Sequence, residues 1–375
     1  MQLLFYILGC SVMEVIASNA NPIHFYKEVK FPWDKREAPV CSNSTLCPKP
    51  NYTWQFYFDQ LLAMGVKNYV FGGYAIKQNS EIELDWAPFA RPWDKKEFES
   101  VRRRVKKRGG KILADLGYHL PDTFDRPAFL HSARAFAKRF AVDGFRLGLS
   151  FRATDEHNSD ERNPQGYEEV GHGDRTKAEI LLILSSSKSP FRFSTDEWQI
   201  MKKEGLGAVA DTYFGFPWPS CNESKPPFNS IPFAEEVITN AIQAGVHPSM
   251  FVFEIPLFVP TGVCDVQDYG YSSAVYDDGA DPRGNGSILY SDGRPLNPPE
   301  YFFSQPRAVE KVDLADEWGL NGIMLKGGGG WTEDLYPWDK DSLLHALAKK
   351  FRKGNHHPTM YHIHNRPPAG VFVAN

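Results

Sequence analysis

Two stretches decide the fold: Lys111-Ile-Leu-Ala-Asp-Leu-Gly117 and Phe140-Ala-Val-Asp-Gly-Phe-Arg-Leu-Gly-Leu-Ser150. Each contains a short apolar run, 111–116 and 145–151, of the length expected for a buried strand. The segment between them, 128–140, has apolar residues at helical spacing. A strand, a helix and a second strand in this order predict a βαβ unit, in which a helix joins two parallel strands and covers the sheet.

The same alternation extends over most of the chain. Six further apolar runs predict strands, over residues 23–29, 68–76, 179–185, 208–214, 251–257 and 322–326. The remaining helices are predicted over residues 54–64, 95–107, 195–203, 234–244, 307–318 and 341–351. Eight strand–helix units predict a closed (β/α)8 barrel, that is, a TIM barrel of the α/β class. The alternative is a doubly wound open sheet, which would place a glycine-rich turn after its first strand, and that turn is missing from the sequence.

The composition is that of a globular protein with a large core. A chain of 375 residues with 42% hydrophobic and 23% charged residues is neither disordered nor fibrous. The net charge is −4, so there is no basic excess. We also take the basic residues to be dispersed along the chain, and therefore expect no nucleic-acid partner. No apolar run reaches the ~18 residues of a membrane span. We expect one barrel domain over residues 21–353 and a polar tail over residues 354–375.

The N-terminus and the cysteines predict a secretory route. Residues 1–20 combine a short apolar stretch with small residues at positions 18–20, which is typical of a signal peptide. Four cysteines remain after its removal, and we favour the pairs Cys41–Cys47 and Cys221–Cys264 among three connectivities. Sequons for N-glycosylation begin at Asn43, Asn51, Asn222 and Asn285. Together these features predict a secreted or lumenal glycoprotein.

The tetrapeptide Pro-Trp-Asp-Lys occurs at residues 32–35, 92–95 and 337–340. The last two copies precede predicted helices, where Asp94 with Glu97 fits a capping box and Asp339 fits an N-cap. Each Trp would lie on a strand-to-helix loop, at the rim where barrels bind ligands. Stacking on a sugar and packing on a neighbouring side chain both remain open for these residues.

The two opening stretches also resemble strands three and four of glycoside hydrolase family 18, the family of chitinases and chitinase-like lectins. Residues 210–215 look like its sixth strand, 245–256 like the passage into its seventh, and 319–325 like its eighth. The resemblance covers most of residues 23–350 in the family's order. It implies a (β/α)8 barrel, the fold that the strand–helix alternation predicts independently.

The resemblance breaks at the residues that carry the family's chemistry. The strand-four signature D-x-x-D-x-D-x-E falls on Asp143, Arg146, Gly148 and Ser150, so that only its first aspartate is present. In the family the final Glu is the general acid, and the Asp two residues before it orients the N-acetyl group of the substrate. A serine hydroxyl cannot supply a proton near neutral pH as a tuned carboxylic acid does. We therefore predict no efficient hydrolysis by the family mechanism.

Other positions depart as well. The sixth strand retains Tyr213 of the family's M-x-Y-D pattern but has Phe214 in place of its Asp, and Lys326 stands where the last strand usually ends in a Trp. The loop after strand four carries acidic residues that could act instead, and the simpler interpretation is a solvated acidic loop. These residues are Asp155, Glu156, Asp160 and Glu161.

The alternation of side chains along strands predicts what fills the barrel centre. Arg146 lies on the face that the resemblance places inward, and the same parity argument points five more side chains inward. These are Asp115, Asp211, Tyr213, Glu254 and Lys326. Because unpaired charge is costly to bury, we predict an ion-pair cluster with Arg146 bidentate to Asp115 or Asp211, and Lys326 near Glu254 or Asp211. The alternative is that some of these side chains face solvent at the mouth and never meet.

The leading hypothesis is a secreted, chitinase-like barrel that is non-hydrolytic and binds N-acetylglucosamine polymers or a protein partner at its mouth. The aromatic residues expected to stack on sugar are Tyr213, Trp218, Trp331, Trp33 and Trp93. The alternatives are an active glycosidase with displaced carboxylates and a scaffold without a sugar ligand. The glycine run 327–330 lacks the Lys-Ser/Thr ending of a phosphate loop, and the histidines of the tail are not expected to hold a metal. No cofactor or metal is therefore predicted.

Overall fold

In the computed structural model of the chain, the described residues are 23–30, 46–48, 52–84, 93–116, 125–148, 179–183, 201–203, 205–208, 210–215, 217, 227–259, 270–327 and 334–354. The strands are β1 (His24–Val29), β2 (Asn68–Phe71), β3 (Tyr74–Ile76), β4 (Ile82–Leu84), β5 (Ile112–Asp115), β6 (Gly144–Gly148), β7 (Glu179–Ile183), β8 (Tyr213–Gly215), β9 (Phe251–Pro256), β10 (Ser287–Leu289), β11 (Pro295–Tyr301) and β12 (Gly322–Lys326). The helices are α1 (Trp54–Ala63), α2 (Lys95–Lys107), α3 (Arg126–Arg139), α4 (Ile231–Gln243), α5 (Tyr271–Tyr276), α6 (Gln305–Glu317) and α7 (Leu343–Gly354).

Eight strands form one curled parallel sheet in the order β7-β6-β5-β2-β1-β12-β9-β8. Every hydrogen-bonded neighbour pair in this sheet is parallel. The two edge strands, β7 and β8, approach within 8 Å between Cα atoms, which brings the sheet round on itself. The predicted (β/α)8 barrel of the α/β class is confirmed. Two antiparallel hairpins, β3–β4 and β10–β11, are added to this barrel and were not predicted.

The helices begin and end where the sequence supplies caps. In α2 the Asp94 carboxylate accepts a hydrogen bond from the Glu97 amide at 2.9 Å, and the Asp94 amide donates to the Glu97 carboxylate at 2.6 Å. This reciprocal pair is the predicted capping box, and it satisfies two amides that the helix itself leaves unpaired. Apolar residues at positions 98, 101 and 105 then face the sheet. Within the described residues, no helix is both long enough and apolar enough to cross a membrane.

Three local predictions are corrected by the structure. The second strand was predicted over residues 68–76 but ends at Phe71, because Gly73 has a φ of 89° and the chain turns into the β3–β4 hairpin. The sixth strand was predicted from residue 208 but begins at Tyr213, after a 3-10 turn over 206–208. Asp339 was predicted as an N-cap, but α7 begins at Leu343 and the Ser342 hydroxyl accepts from the third amide of the helix at 3.2 Å.

The apolar core has two parts, one on each face of the sheet. The larger part lies between the sheet and the surrounding helices. The smaller part is a layer inside the barrel with one side chain from each of six strands, namely Tyr26, Val70, Leu113, Phe214, Val252 and Met324. Alternation along each strand sends neighbouring side chains to opposite parts. The charged residues at the carboxyl ends of the strands lie directly above this inner layer.

Candidate ligand site at the carboxyl end of the barrel

Arg146 lies at the centre of the barrel, and its side chain is 1% exposed. Its Nη2 donates to Glu254 Oε1 at 2.6 Å. Its Nη1 donates to Glu28 Oε1 at 3.3 Å and to Asp115 Oδ2 at 3.4 Å. Lys326 adds a second cation, with its Nζ 3.1 Å from Glu254 Oε2. We call these five residues the charge cluster.

The fold explains why these side chains meet. Each of the five belongs to a different strand of the barrel, namely β1, β5, β6, β9 or β12. Asp115 and Arg146 are partners in the register of β5 and β6, so their side chains leave the sheet side by side. The other contacts cross the barrel, since Arg146 and Glu254 lie 108 residues apart in sequence. A guanidinium at the axis is long enough to reach carboxylates on both sides.

The charge cluster rests on an aromatic ring. The Cζ of Arg146 lies 5.5 Å from the ring centroid of Phe214, and this ring packs edge-on against Tyr26 at 5.4 Å. The negative face of an aromatic ring attracts a cation, and the apolar layer below keeps water away from the ion pairs. In a low dielectric these charge-assisted hydrogen bonds are stronger than they would be in water. Phe214 therefore supports Arg146 with the face of its ring.

Burial divides the charge cluster into a lower and an upper part. Arg146 and Glu254 are at most 1% exposed, and both are inaccessible to a ligand. Glu28, Asp115 and Lys326 are 15%, 14% and 17% exposed, respectively, and face the mouth. We call these three residues the polar floor. It offers carboxylate acceptors and an ammonium donor to whatever enters the barrel from the carboxyl end.

Glu28 and Lys27 also hold the start of the last loop. Glu28 Oε2 accepts a hydrogen bond from the Gly327 amide at 2.8 Å, and Lys27 Nζ donates to the Gly327 carbonyl. Burial alone would raise the pKa of the Glu28 carboxyl. The charges of Lys326 and Arg146, the Gly327 amide and Lys27 outweigh burial and hold the pKa of Glu28 below its ordinary value. Glu28 is therefore an ionised anchor and carries no proton near neutral pH.

The structure brings together four of the residues that sequence parity placed inside, Asp115, Arg146, Glu254 and Lys326. The shortest partner of Arg146 is Glu254, whereas a bidentate pair with Asp115 or Asp211 was predicted. Asp211 was placed inside wrongly, because it is exposed and lines a pocket at the opposite end of the barrel.

Tyr213 was also placed inside wrongly. It is fully buried outside the barrel, where its hydroxyl donates to the Leu206 carbonyl at 2.6 Å and accepts from the Ala210 amide at 3.0 Å. Neighbouring residues of a strand point to opposite faces, and the large apolar Phe214 takes the inward position. Tyr213 therefore cannot stack on a ligand in the barrel.

Trp93 is a second correction to the predicted sugar-stacking set. It is 5% exposed and packs against Trp54, Phe58 and Phe98, with ring centroids 5.4 to 6.3 Å away. Its environment is the core between helices, so it has no face to offer a sugar. The other predicted aromatics, Trp33, Trp218 and Trp331, lie outside the described residues, as does Ser150.

The remaining signature positions lie away from the charge cluster or have no side chain to offer. Asp143 precedes β6 at the amino end of the barrel, where it accepts from Arg102 Nη2 at 2.8 Å and from the Ile112 amide at 3.0 Å. It ties α2 to the sheet and is a structural residue. Gly148 ends β6 on the same parity as Arg146.

One feature of this end of the barrel, Glu28, was missed from the sequence, and a second, Trp338, was left open between sugar stacking and packing. Glu28 was overlooked because β1 was treated as a plain apolar run, although His24, Tyr26 and Glu28 alternate as an inward-facing set. The third Pro-Trp-Asp-Lys copy supplies an exposed Trp338, at 40%, which stacks on Tyr336 with centroids 5.1 Å apart and contacts Phe56 at 5.4 Å. The repeat was the signal, but exposure could not be read from it.

A pocket of about 240 Å³ lies at the amino end of the barrel. Its polar lining includes His24, Asn68, Lys111, Asp211 and Thr212. Burial, followed by the positive charges of Lys67 and Lys111, lowers the pKa of the His24 imidazole. The pocket is separate from the polar floor, since the apolar inner layer lies between them.

The cysteine and sequon predictions fall partly on described residues. Cys47 is 4% exposed and disulfide-bonded, while Cys41, Cys221 and Cys264 lie outside the described residues, so the pairing stays a prediction. Asn285 is exposed, and its Oδ1 accepts hydrogen bonds from the Ser287 amide and hydroxyl at 3.0 and 2.7 Å. The sequons at Asn43, Asn51 and Asn222 lie outside the described residues. In the described part of the chain, no group of three or more His, Cys, Asp or Glu side chains is placed to hold a metal ion.

The barrel and the residues at its mouth define an α/β protein of the TIM-barrel class. Its fold is that of glycoside hydrolase family 18 chitinases and chitinase-like lectins, as the solved structures similar to it indicate. The Ostrinia furnacalis group II chitinase catalytic domain 2 has a TM-score of 0.55 at 14% identity, covering 88% of this chain and 97% of that one. The chitinase-like agglutinin of Robinia pseudoacacia has a TM-score of 0.55 at 13% identity, covering 87% and 99%.

A chitinase from Rhizomucor miehei is similar at a TM-score of 0.51 and 13% identity, over 87% of this chain and 99% of that one. A mutant of the Ostrinia furnacalis domain, at 15% identity, was solved in complex with a chitooligosaccharide. No family model matches the sequence, and no curated protein matches it. The similarity is therefore one of fold, and the chemistry has to be argued from this chain's own residues.

Proposed function

We propose that this chain is a non-hydrolytic, chitinase-like protein that binds an N-acetylglucosamine-containing glycan at the mouth of its barrel. The observation that carries the proposal is the buried, ion-paired Arg146 on the strand that bears the catalytic carboxylates in the family it resembles. A guanidinium at this position neutralises carboxylates instead of leaving one free to exchange a proton.

The acids of the charge cluster are poor candidates for general acid catalysis. A general acid works best when its pKa lies near the operating pH and when it reaches the leaving oxygen. Glu254 is fully buried under two cations and cannot reach a ligand. Glu28 reaches the mouth, but its pKa is held below its ordinary value. Asp115 is held by the guanidinium at 3.4 Å.

The polar floor suits a sugar because a pyranose presents hydroxyls that both donate and accept hydrogen bonds. Glu28 and Asp115 accept, and Lys326 donates. Exposed aromatic rings such as Trp338, held by Tyr336 and Phe56, are the kind of surface on which a sugar face packs. The chitinase-like agglutinin and the chitooligosaccharide complex among the similar structures favour the same ligand class.

Calorimetric titration with N-acetylglucosamine hexamer tests the binding. We expect Glu28→Gln to weaken it, because the variant removes the ionised acceptor of the floor and its hold on Gly327. Asp211→Asn is the matched control, since it also removes one carboxylate but lies at the other end of the barrel. Thermal unfolding of all three proteins shows whether a loss of binding reflects a loss of folding.

A turnover assay on the same oligomer separates the alternatives. Product release by the wild-type protein above the no-enzyme background would establish an active glycosidase and overturn the non-hydrolytic proposal. Absence of both heat and turnover at millimolar oligomer would leave a scaffold without a sugar ligand. Binding without turnover, weakened only in the Glu28 variant, supports the proposal.

We further propose that the chain acts in an oxidising, secretory compartment. Its support is the disulfide at the buried Cys47 and the solvent-exposed sequon at Asn285, together with the signal-like residues 1–20. Expression in a secreting eukaryotic host followed by peptide mass spectrometry tests it. Recovery of an unglycosylated, fully reduced intracellular protein would contradict it.

A further inference from the structure

Residues 102–111, Arg-Arg-Arg-Val-Lys-Lys-Arg-Gly-Gly-Lys, contain seven basic residues and no acidic one. The expectation that the basic residues are dispersed is therefore wrong for this segment, and the net charge of −4 conceals it. The segment covers the last turns of α2 and the loop that leads into β5. What matters is whether the fold uses these charges internally or leaves them to solvent.

The fold gathers further basic residues at the same place. Both α2 and α3 end at the amino end of the barrel, since each returns the chain to the start of the next parallel strand. Lys106, at the end of α2, lies 3.5 Å from Asp143, which follows α3. Lys138 and Arg139 of α3 are exposed beside them. We call the following residues the basic patch: Arg103, Lys106, Lys107, Arg108, Lys111, Lys138 and Arg139.

Two acidic residues beside the basic patch are engaged by inner cations of the segment. Arg102 pairs with Asp143 at 2.8 Å and Arg104 with Asp59 at 2.6 Å. Among the described residues, no ion pair joins Arg103, Lys107 or Arg108 to a carboxylate, and all three are exposed. Arg102 and Arg104 are thus paired within the fold, whereas the outer row of Arg103, Lys107 and Arg108 has no ion-pair partner in the described part of the chain.

Helix stabilisation accounts for only part of this row. Cations in the last turn of a helix interact favourably with its dipole, by about 0.3–1 kcal/mol each, which explains a residue such as Lys107. Arg103 lies a full turn earlier, and Arg108 lies beyond the helix end. Burial, followed by the charges of Lys67 and Lys111, lowers the pKa of His24 at the same end of the barrel.

We propose that the basic patch binds a sulfated polysaccharide. Sulfate groups are oxyanions of the kind that guanidinium and ammonium groups bind by charge-assisted hydrogen bonds. Single-stranded nucleic acid is disfavoured, since stacking on bases needs exposed aromatic rings, and none of the exposed large apolar side chains of the described residues belongs to α2 or α3. The choice of a sulfated glycan over other polyanions rests on the proposed secretory compartment. The patch is independent of the glycan proposed for the mouth, which lies at the opposite end.

Binding to heparin oligosaccharides, measured at several salt concentrations, tests the proposal. The patch variant is Arg103→Ser with Lys107→Ser and Arg108→Ser. The matched control, Lys96→Ser with Lys202→Ser and Lys340→Ser, removes three exposed basic side chains elsewhere and changes the net charge equally. We expect the patch variant to lose roughly tenfold or more in affinity and to show a shallower salt dependence, because fewer counterions are released. The control should bind as the wild type does.

Three results would overturn the proposal. The first is equal weakening in the patch and control variants, which would indicate a net-charge effect. The second is equally tight binding of desulfated heparin, which would remove sulfate from the recognition. The third is binding of duplex DNA of matched charge as tight as that of heparin, which would make the surface a general polyanion site. Unchanged circular dichroism of both triple variants confirms that any loss occurs in folded protein.

Discussion

Arg146→Met is the substitution that tests the charge cluster most directly. Methionine retains much of the aliphatic volume of the side chain but removes the guanidinium that contacts Glu254 at 2.6 Å, Glu28 at 3.3 Å and Asp115 at 3.4 Å. Three carboxylates then remain around the barrel axis with a single cation, Lys326, directly paired to one of them. Glu28 and Asp115 each lose their contact with the guanidinium, and Glu254 loses the shorter of its two ion pairs.

The magnitude follows from burial. Removing one partner of a buried ion pair typically costs about 3–5 kcal/mol, because the other charge is left uncompensated. Glu254 is fully buried but retains Lys326 at 3.1 Å, and Glu28 and Asp115 have some access to water. We therefore expect the lower end of this range, about 3 kcal/mol. The free energy of unfolding of a typical domain is about 5–15 kcal/mol, so this loss would be a large part of it.

Urea unfolding followed by tryptophan fluorescence measures this loss. The matched control is Arg294→Met, which removes the same group from a pair with Asp292 whose arginine side chain is 76% exposed. An exposed pair is worth about 0–1 kcal/mol, so the control should change little. Adding Glu254→Gln to Arg146→Met should recover part of the loss, since the buried uncompensated charge is then removed. A loss below about 1 kcal/mol, equal to that of the control, would refute the internal ion-pair argument.

Two further predictions concern stability elsewhere in the chain. Burial lowers the pKa of Lys311 to about 8, below the unfolded value of 10.5, so between these values the unfolded state binds more protons and the free energy of unfolding should rise with pH. Urea titrations at pH 7 and 9.5 should show this rise in the wild type and not in Lys311→Met. If the free energy of unfolding changed equally with pH in both proteins, the burial argument would be contradicted. Gly110→Ala should destabilise by about 2 kcal/mol or more, because the new Cβ would lie 1.9 Å from the Lys67 carbonyl oxygen. Gly109→Ala, with φ of 68° but open space, should cost only about 1 kcal/mol, and equal melting temperatures for the two variants would count against the close contact.

The strand–helix order of this chain could be predicted because it depends on local periodicity. Short apolar runs, which form barrel strands of three to six residues, are separated by helices with caps such as Asp94 and specify each unit without knowledge of its partners. The closed barrel then follows from the number of units. The hairpin β10–β11 was missed since its strand Pro295–Tyr301 contains three prolines, which is unusual for a strand and tolerated only at an edge.

The inward-facing set could be predicted only where a strand is long and regular. On β6 and β9 the alternation was unambiguous, and Arg146 and Glu254 were placed correctly inside. On β8, which has three residues, the assignment was shifted by one, and Tyr213 exchanged places with Phe214. A shift of one residue moves every side chain of a strand to the other face. Phe214 points inward because the inner layer needs a large apolar side chain at this position. That need depends on the whole layer and cannot be read from one strand.

The choice of partners within the charge cluster was beyond the sequence. Arg146 had several acids available by parity, and the register of β5 and β6 made Asp115 the obvious neighbour. The structure instead gives the shortest contact to Glu254 across the barrel, at 2.6 Å. Long side chains at a barrel axis reach strands far away in sequence, so pairing depends on the depth of each carboxylate. Glu28 was missed for a related reason, because its partners are Arg146 and the Gly327 amide at the far end of the chain.

The charged and aromatic residues at the barrel centre depend on one another physically. Arg146 would be unstable in an apolar barrel without carboxylates on other strands to pair with it. Phe214 supplies the ring on which the guanidinium lies. Lys326 then balances the carboxylate of Glu254 from the opposite side. The three carboxylates and the two cations lie on five different strands, so their ion pairs link five strands of the barrel in one layer. A layer of this kind holds the side chains beneath the mouth in fixed positions, which is what the proposed recognition of a glycan without hydrolysis needs.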